Sequence, residues 1–140
     1  VNLDQEFVED KKLNVLTSLV DILKTCDIIS LHVPLIDSTQ GLISAELLHD
    51  YGKPGLVLVN TSRAGLVEEQ DILDAIENGN LGGYLTDVLA VEPMVQSCLL
   101  KNKPRVLITP HIGSRTKESI QRQGSLAVNN LINTVAVSLK

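Results

Sequence analysis

Aromatic residues are nearly absent from this chain: among 140 residues there is no Trp, and the aromatics are Phe7, Tyr51 and Tyr84. The formal net charge is −5, whereas nucleic-acid-binding domains need basic surface and aromatic stacking platforms. No apolar run approaches the ~20 residues of a membrane span, and no stretch has the pattern of a secretory signal. We therefore expect an aliphatic core and neither a nucleic-acid nor a membrane partner.

Cysteine is also scarce, with Cys26 and Cys98 standing alone and without metal-binding or redox spacing. This usage predicts reduced thiols in a cytoplasmic protein and no metal site. The chain has enough apolar residues (44%) to bury a core, and its length is that of one domain at most. It begins Val-Asn-Leu-Asp without Met, so we expect a fragment.

A strand, a polar loop and a helix follow one another in residues 56–77. Residues 56–59 (Leu-Val-Leu-Val) are typical of a strand buried on both faces in a parallel sheet. The loop carries one cation, Arg63, and acidic residues then occupy the first turn of the helix, where the helix dipole favours anions. Ligands bind at the carboxyl ends of such strands, where an arginine can grip a carboxylate. A surface ion pair is the alternative use for Arg63.

Hydrophobic spacing and capping residues predict the remaining elements. The expected helices cover residues 45–51, 67–77, a segment capped by Ser18 and ending near residue 25, and a long segment from Ser114 or Thr116 to the C-terminus. The expected strands cover residues 27–33, 56–59, 82–89 and 105–108, with a brief one at 15–16. This alternation predicts an α/β protein with a doubly wound parallel sheet, a three-layer αβα arrangement and right-handed crossovers.

Charged side chains follow these strands closely. Arg63 comes after one strand, Asp87 and Glu92 come at the end of the next, and His111 follows the last. Because the carboxyl ends of parallel strands share one edge, we expect the four residues to converge there. Taken singly, each can also be a solvated loop residue.

Together these residues suit proton-coupled hydride transfer. A histidine exchanges protons near neutral pH, and a neighbouring carboxylate holds its tautomer and favours its protonated form. An arginine binds a substrate carboxylate and polarises the adjacent carbonyl. The set therefore indicates interconversion of a 2-hydroxy acid and a 2-oxo acid.

Five segments carry a resemblance to a known family: residues 30–35 (Ser-Leu-His-Val-Pro-Leu), 60–68 (Asn-Thr-Ser-Arg-Ala-Gly-Leu-Val-Glu), 81–88 (Leu-Gly-Gly-Tyr-Leu-Thr-Asp-Val), 92–93 (Glu-Pro) and 109–113 (Thr-Pro-His-Ile-Gly). In order and spacing they resemble the D-isomer-specific 2-hydroxyacid dehydrogenases, the family that includes D-3-phosphoglycerate dehydrogenase. The resemblance implies a Rossmann-type NAD-binding domain, a small 2-hydroxy or 2-oxo acid substrate, and NAD in preference to NADP.

The resemblance also implies roles for single residues. Arg63 would bind and polarise the substrate, His111 would be the acid/base, Glu92 its partner, and Asp87 would face the nicotinamide carboxamide. The residues implied to line the cofactor are Val33, Pro34, Thr39, Thr61, Ser62, Arg63, Asp87, His111 and Gly113.

Two departures from the family pattern stand out. The family's Arg-Gly is Arg63-Ala64 here, and a positive φ at that position would cost alanine about 1 kcal/mol. No Gly-x-Gly-x-x-Gly occurs in the 140 residues. We therefore expect residues 1–140 to form a partial NAD-binding domain that lacks the first βαβ unit and the substrate domain. Alone, the chain should be inactive.

Other interpretations remain open. The C-terminal binding protein corepressors resemble the same family and act through NAD-dependent association, so an NAD-sensing binding protein is the alternative function. A generic flavodoxin-like domain would give Arg63 and His111 no special role. An uncovered sheet edge or face also predicts self-association, and we expect a homodimer.

Overall fold

A parallel sheet organises the computed structural model, which describes residues 4–138. Its strands are β1 (Ile28–Leu31), β2 (Val57–Asn60), β3 (Gly83–Thr86) and β4 (Val106–Ile108), adjacent in that order. All three neighbouring pairs are parallel. The predicted α/β class, a partial Rossmann-type parallel sheet, is confirmed.

Helices precede, connect and follow these strands. They are α1 (Gln5–Asp10), α2 (Leu19–Thr25), α3 (Ala45–Tyr51), α4 (Glu69–Glu77) and α5 (Lys117–Ser138), with a short 3₁₀ turn at Ala64–Leu66. Ser18 caps α2 as predicted, and Ser44 caps α3. Each hydroxyl accepts a hydrogen bond from a backbone N–H in the first turn.

The core lies between α2–α4 and one face of the sheet. The strand register places Ile29, Leu58 and Tyr84 side by side on that face, and all three are buried. They pack in one cluster with Leu23 of α2, Leu48 of α3, and Ile72, Leu73, Ala75 and Ile76 of α4. On the opposite face, Ile28 is 66% exposed and Leu107 is 58% exposed.

Helix α5 projects from the rest of the described chain. An apolar stripe along it includes Ile120, Val128, Leu131 and Ile132, and each of these side chains is more than half exposed. Within residues 4–138 nothing buries this stripe.

Some predicted boundaries are wrong. Residues 15–16 form no strand, since nothing in the described chain pairs with them. The strands predicted at 27–33 and 82–89 are shorter, and the one predicted at 56–59 lies one residue later. The helix predicted at 67–77 begins at Glu69, because residues 64–66 form the 3₁₀ turn and Val67 is extended in a bridge to Ile43.

Candidate active site

The loop after β2 is fastened by the side chain of Asn60, which is fully buried. Asn60 Nδ2 donates to the Arg63 carbonyl oxygen at 2.9 Å, and Asn60 Oδ1 accepts from the Ser62 N–H at 3.1 Å. Asn60 Nδ2 also lies 3.3 Å from the hydroxyl of buried Tyr84. An amide that cannot reach water is stable only with such partners. The backbone that carries Arg63 is therefore held by the core.

Ser62 connects this loop to the one after β1. Its hydroxyl donates to the Val33 carbonyl oxygen at 2.6 Å, so two of the predicted cofactor-lining positions are joined directly. The exposed Arg63 side chain folds back, and its Nη1 donates to the Ser62 carbonyl oxygen at 2.7 Å.

Alanine at position 64 creates no left-handed strain. Among the described residues, the non-glycine positions with positive φ are Lys12, Asn102, Arg105 and His111. Ala64 begins the 3₁₀ turn instead. The departure from Arg-Gly is compatible with the conformation of this loop.

Thr39 shapes the loop after β1. Its hydroxyl donates to the Pro34 carbonyl oxygen at 2.7 Å and accepts from the Ile36 N–H at 2.9 Å. Thr61, in the loop after β2, is exposed. The cofactor-lining roles of Pro34, Thr39 and Thr61 stay predictions.

Asp87 organises the loop after β4. It is only 7% exposed. One carboxylate oxygen accepts from the Thr109 hydroxyl at 2.5 Å and from the Ile112 N–H at 3.0 Å, and the other accepts from the Gly113 N–H at 2.8 Å. Burial raises the pKa of Asp87, but these hydrogen bonds and nearby His111 outweigh it and leave the pKa below its usual value. The ionised carboxylate of Asp87 therefore holds residues 109–113 in place.

A side chain at position 113 would crowd the same contact. A Cβ at this position would lie 3.1 Å from Asp87 Oδ2, closer than ordinary van der Waals contact. The backbone approaches the carboxylate closely because no side chain intervenes.

Glu92 and His111 form a direct pair. Glu92 Oε2 lies 2.7 Å from His111 Nδ1, and Glu92 Oε1 accepts from the Leu89 N–H at 2.9 Å. The Leu89 N–H, and after it the His111 contact, lower the pKa of Glu92. A carboxylate accepting from Nδ1–H leaves Nε2 as the ring nitrogen that can exchange a proton. The φ of His111 is +52°, an uncommon backbone conformation of the kind found at functional sites.

The pair opens into a cavity of about 460 Å³. Its walls are mostly apolar, and its lining residues are Leu89, Glu92, Pro93, Met94, Ile108, Thr109, Pro110, His111 and Arg115. Arg63 and Asp87 are not among them. The structure thus brings Glu92 and His111 together and ties Asp87 to the same loop, whereas Arg63 lies outside this cavity.

Sequence reasoning missed Arg115 and the anchoring role of Asn60. Arg115 follows His111 by four residues in the same loop, and this proximity to a predicted acid/base was the available signal. The role of Asn60 depends on burial, which the polar character of the residue does not reveal.

A family model described as the D-isomer specific 2-hydroxyacid dehydrogenase, NAD binding domain, matches residues 2–113. The chain belongs to this family. The described residues up to Gly113 accordingly belong to the family's NAD-binding domain, with the Asp87, Glu92 and His111 contacts at the carboxyl edge of the sheet.

Relatives in this dehydrogenase family are much longer than the chain. D-3-phosphoglycerate dehydrogenase of Bacillus subtilis is 40% identical over 99 residues, which cover 71% of this chain and 18% of the relative. (S)-sulfolactate dehydrogenase of Chromohalobacter salexigens is 36% identical over 119 residues, 85% of this chain and 38% of the relative. The solved D-mandelate dehydrogenase of Rhodotorula graminis has a TM-score of 0.80 at 27% identity, covering 94% of this chain and 37% of that one.

The residues present fit the nicotinamide end of an NAD molecule. A carboxylate has about four lone-pair sites, and the internal hydrogen bonds of Asp87 use three of them. One acceptor site therefore remains for a carboxamide N–H. Within residues 4–138, no cluster of three or more His, Cys, Asp or Glu side chains could hold a metal ion, and no helix is long and apolar enough to cross a membrane.

Proposed function

We propose that the whole protein containing this chain interconverts a D-2-hydroxy acid and the corresponding 2-oxo acid with NAD(H). The observation that carries the proposal is the Glu92–His111 pair, which lies in a cavity next to the Asp87-anchored loop. The family membership supports the same reaction class. Two relatives are named glycerate dehydrogenase and hydroxypyruvate reductase, names of the same chemical type.

In the direction of reduction, NADH held at the proposed cofactor-lining positions would supply the hydride that C2 of the 2-oxo acid accepts. Protonated His111 donates its Nε2 proton to the C2 oxygen as that oxygen becomes a hydroxyl. Glu92 accepts from Nδ1–H, orients the ring and stabilises its positive charge. Oxidation reverses these steps, and His111 then removes the hydroxyl proton.

Arg63 is proposed to bind the 2-carboxylate and polarise the carbonyl. Its support is its place in the loop at the carboxyl edge, on a backbone held by buried Asn60. Asp87 is proposed to accept from the carboxamide of the cofactor. The positions proposed to line the cofactor are Val33, Pro34, Thr39, Thr61, Ser62, Arg63, His111 and Gly113.

Some features of the proposed enzyme belong to the whole protein and not to this chain alone. The chain spans 18–38% of the length of the first two relatives, so the phosphate-binding βαβ unit and the substrate domain are proposed to lie elsewhere in the complete polypeptide. A homodimer in the cytoplasm and a preference for NAD over NADP stay predictions. Solved relatives include a complex with NADPH and a complex with NAD.

The test is NADH-dependent reduction of a panel of 2-oxo acids by the whole protein. His111→Ala should lower kcat by about 10²–10⁴-fold, because it removes the general acid. His49→Ala is the matched control, since His49 Nδ1 lies 2.8 Å from Asp50 in an exposed pair outside the cavity, and its kcat should not change.

Retained activity in His111→Ala would contradict the proposed mechanism. NAD binding without turnover of any 2-oxo acid would favour the NAD-sensing alternative. In that case Glu92→Gln would also leave the binding of NAD unchanged.

A further inference from the structure

The cavity contains a cation that the proposed mechanism does not use. Arg115 lines it together with Glu92 and His111. The chain has four arginines, and two of them, Arg63 and Arg105, donate to backbone carbonyl oxygens within the described residues. Over residues 4–138 the structure shows no hydrogen bond or ion pair for the Arg115 guanidinium. Its donors are therefore available to a ligand in the cavity.

The backbone beneath Arg115 is anchored although its side chain is free. The Arg115 N–H donates to the Ile112 carbonyl oxygen at 2.9 Å, and buried Asp87 accepts from the N–H groups of Ile112 and Gly113. The same carboxylate thus fixes the loop that carries both His111 and Arg115. A preorganised backbone lowers the entropic cost of binding through a long side chain.

The carboxylate in the cavity, Glu92, forms no ion pair with Arg115 in the described part of the chain. Glu92 Oε2 lies against His111 Nδ1 and Oε1 accepts from the Leu89 N–H, and the described residues show no hydrogen bond or ion pair between Glu92 and Arg115. The other walls are apolar side chains and Thr109. The polar side chains of the cavity are thus the Glu92–His111 pair, Thr109, and an arginine that has no ion-pair partner within residues 4–138.

The size of the cavity leaves room beyond the reacting centre. About 460 Å³ lies within the range of about 300–1,000 Å³ common for small-molecule sites. The carboxylate attached to C2 is assigned to Arg63, which does not line this cavity. A ligand whose C2 oxygen faces His111 can therefore direct its C3 substituent along the apolar wall toward Arg115.

We propose that Arg115 is a specificity-determining residue that binds a second anionic group, carried on C3 of the substrate. The substrate class is then a 2-oxo acid with a phosphate, sulfonate or carboxylate at C3, in preference to acids with one anionic group. Guanidinium donors match all three groups, and pairs with phosphate or carboxylate are frequently bidentate. This inference rests on the proposed function.

The test uses steady-state kinetics of the whole protein with NADH. The substrates are pyruvate and hydroxypyruvate, with one anionic group, and pyruvates bearing phosphate, sulfonate or carboxylate at C3. Arg115→Ala should raise KM for the preferred dianionic acid about tenfold or more, as expected for a lost charge-assisted hydrogen bond, with kcat within about twofold. KM for the acids with one anionic group should not change. Arg115→Lys should restore part of the affinity, because it keeps the charge but loses the planar fork.

Arg122→Ala is the matched control. Arg122 lies exposed on α5 and does not line the cavity, so this variant removes one positive charge without touching the site. Its kinetics should equal those of the wild type for every substrate. Thermal unfolding of both alanine variants at the wild-type midpoint would show that the fold is retained.

The outcomes separate this inference from the proposed function. An equal rise in KM for all acids would mean that Arg115 binds the common carboxylate, and would overturn the assignment. A wild type with no preference for dianionic acids would overturn it as well. Absence of turnover for every 2-oxo acid would refute the proposed function, and the inference would fall with it.

Discussion

At the scale of single residues, the buried carboxylate of Asp87 has the widest structural consequences. It binds the Thr109 hydroxyl and two backbone N–H groups, and so positions the segment that carries His111. Hydrogen bonds to an ionised, buried acceptor are stronger than neutral ones, and leaving their donors without a partner is costly. The stability of this loop therefore depends on the charge state of one side chain.

Acid should weaken the loop through Asp87. Its pKa is lowered in the folded state, so its stabilising contribution is present above the pKa of the unfolded chain and is lost as pH falls through the folded pKa. Asp87→Asn removes the charge at every pH. The variant should lose about 1–3 kcal/mol of unfolding free energy at pH 7 and show a smaller further loss below pH 4 than the wild type.

Denaturant unfolding followed at a series of pH values measures this difference. Asp37→Asn, at an exposed position, is the control and should follow the wild-type profile. A wild-type profile for Asp87→Asn would show that the carboxylate does not support the loop.

The candidate site was predictable at this scale only in part. Asp87, Glu92 and His111 each follow a strand, so their convergence on one edge could be expected from parallel topology alone. The 2.7 Å contact between Glu92 and His111 was implied by the family resemblance, but topology alone could not predict it, because it depends on the path of an irregular segment between β3 and β4. Arg115 was missed for the same reason.

At the scale of elements, capping determines where the short helices begin. The Ser44 hydroxyl accepts from the Leu47 N–H at 3.2 Å, and Asp71 of α4 accepts from the Ala45 N–H at 2.9 Å. These two contacts satisfy N–H groups that a helix leaves without an internal partner. They also attach α3 to α4 beside the sheet.

Ser44→Ala should lower the free energy of unfolding by about 1 kcal/mol, because the capping acceptor is lost. Chemical denaturation measures this change, and Ser44→Asp should retain most of the stability. Ser97→Ala, in an exposed irregular segment, is the comparison variant. An equal change in both alanine variants would contradict a capping role for Ser44.

Hydrophobic spacing alone was insufficient to predict two features of the secondary structure correctly. Residues 15–16 are apolar but have no partner strand, and two residues without a ladder do not form a strand. The helix predicted at 67–77 begins later, at Glu69. Val67 follows the 3₁₀ turn at Ala64–Leu66 and pairs with Ile43 instead of joining the helix. Both errors depend on pairing with distant parts of the chain, which is absent for residues 15–16 and present for Val67.

At the scale of the whole molecule, the sheet is covered by α2–α4 on one face, whereas Ile28 and Leu107 remain largely exposed on the other. The apolar stripe of α5 is exposed as well. These surfaces are the structural basis for the expected self-association, which stays a prediction. A monodisperse monomer in sedimentation would count against it.

The 140-residue chain by itself should bind NAD with millimolar or weaker affinity. Its sequence contains no Gly-x-Gly-x-x-Gly, so the helix N-terminus that normally receives the pyrophosphate is not provided by these residues. Calorimetric titration of the isolated chain, beside the whole protein, measures the difference. Micromolar binding by the isolated chain would contradict the expectation, as would turnover of a 2-oxo acid at about 1 per second or more.

The sequence by itself determined the order and type of the main elements, because buried strands and capped helices have local signatures in residue spacing. It also determined that Arg63, Asp87, Glu92 and His111 follow strands of a parallel sheet. Only the tertiary structure decided which of these side chains meet. It paired Glu92 with His111, bound Asp87 to the backbone of the same loop, placed Arg63 outside the cavity and brought Arg115 into it. Contacts of this kind depend on strand register and loop path, which no local pattern encodes.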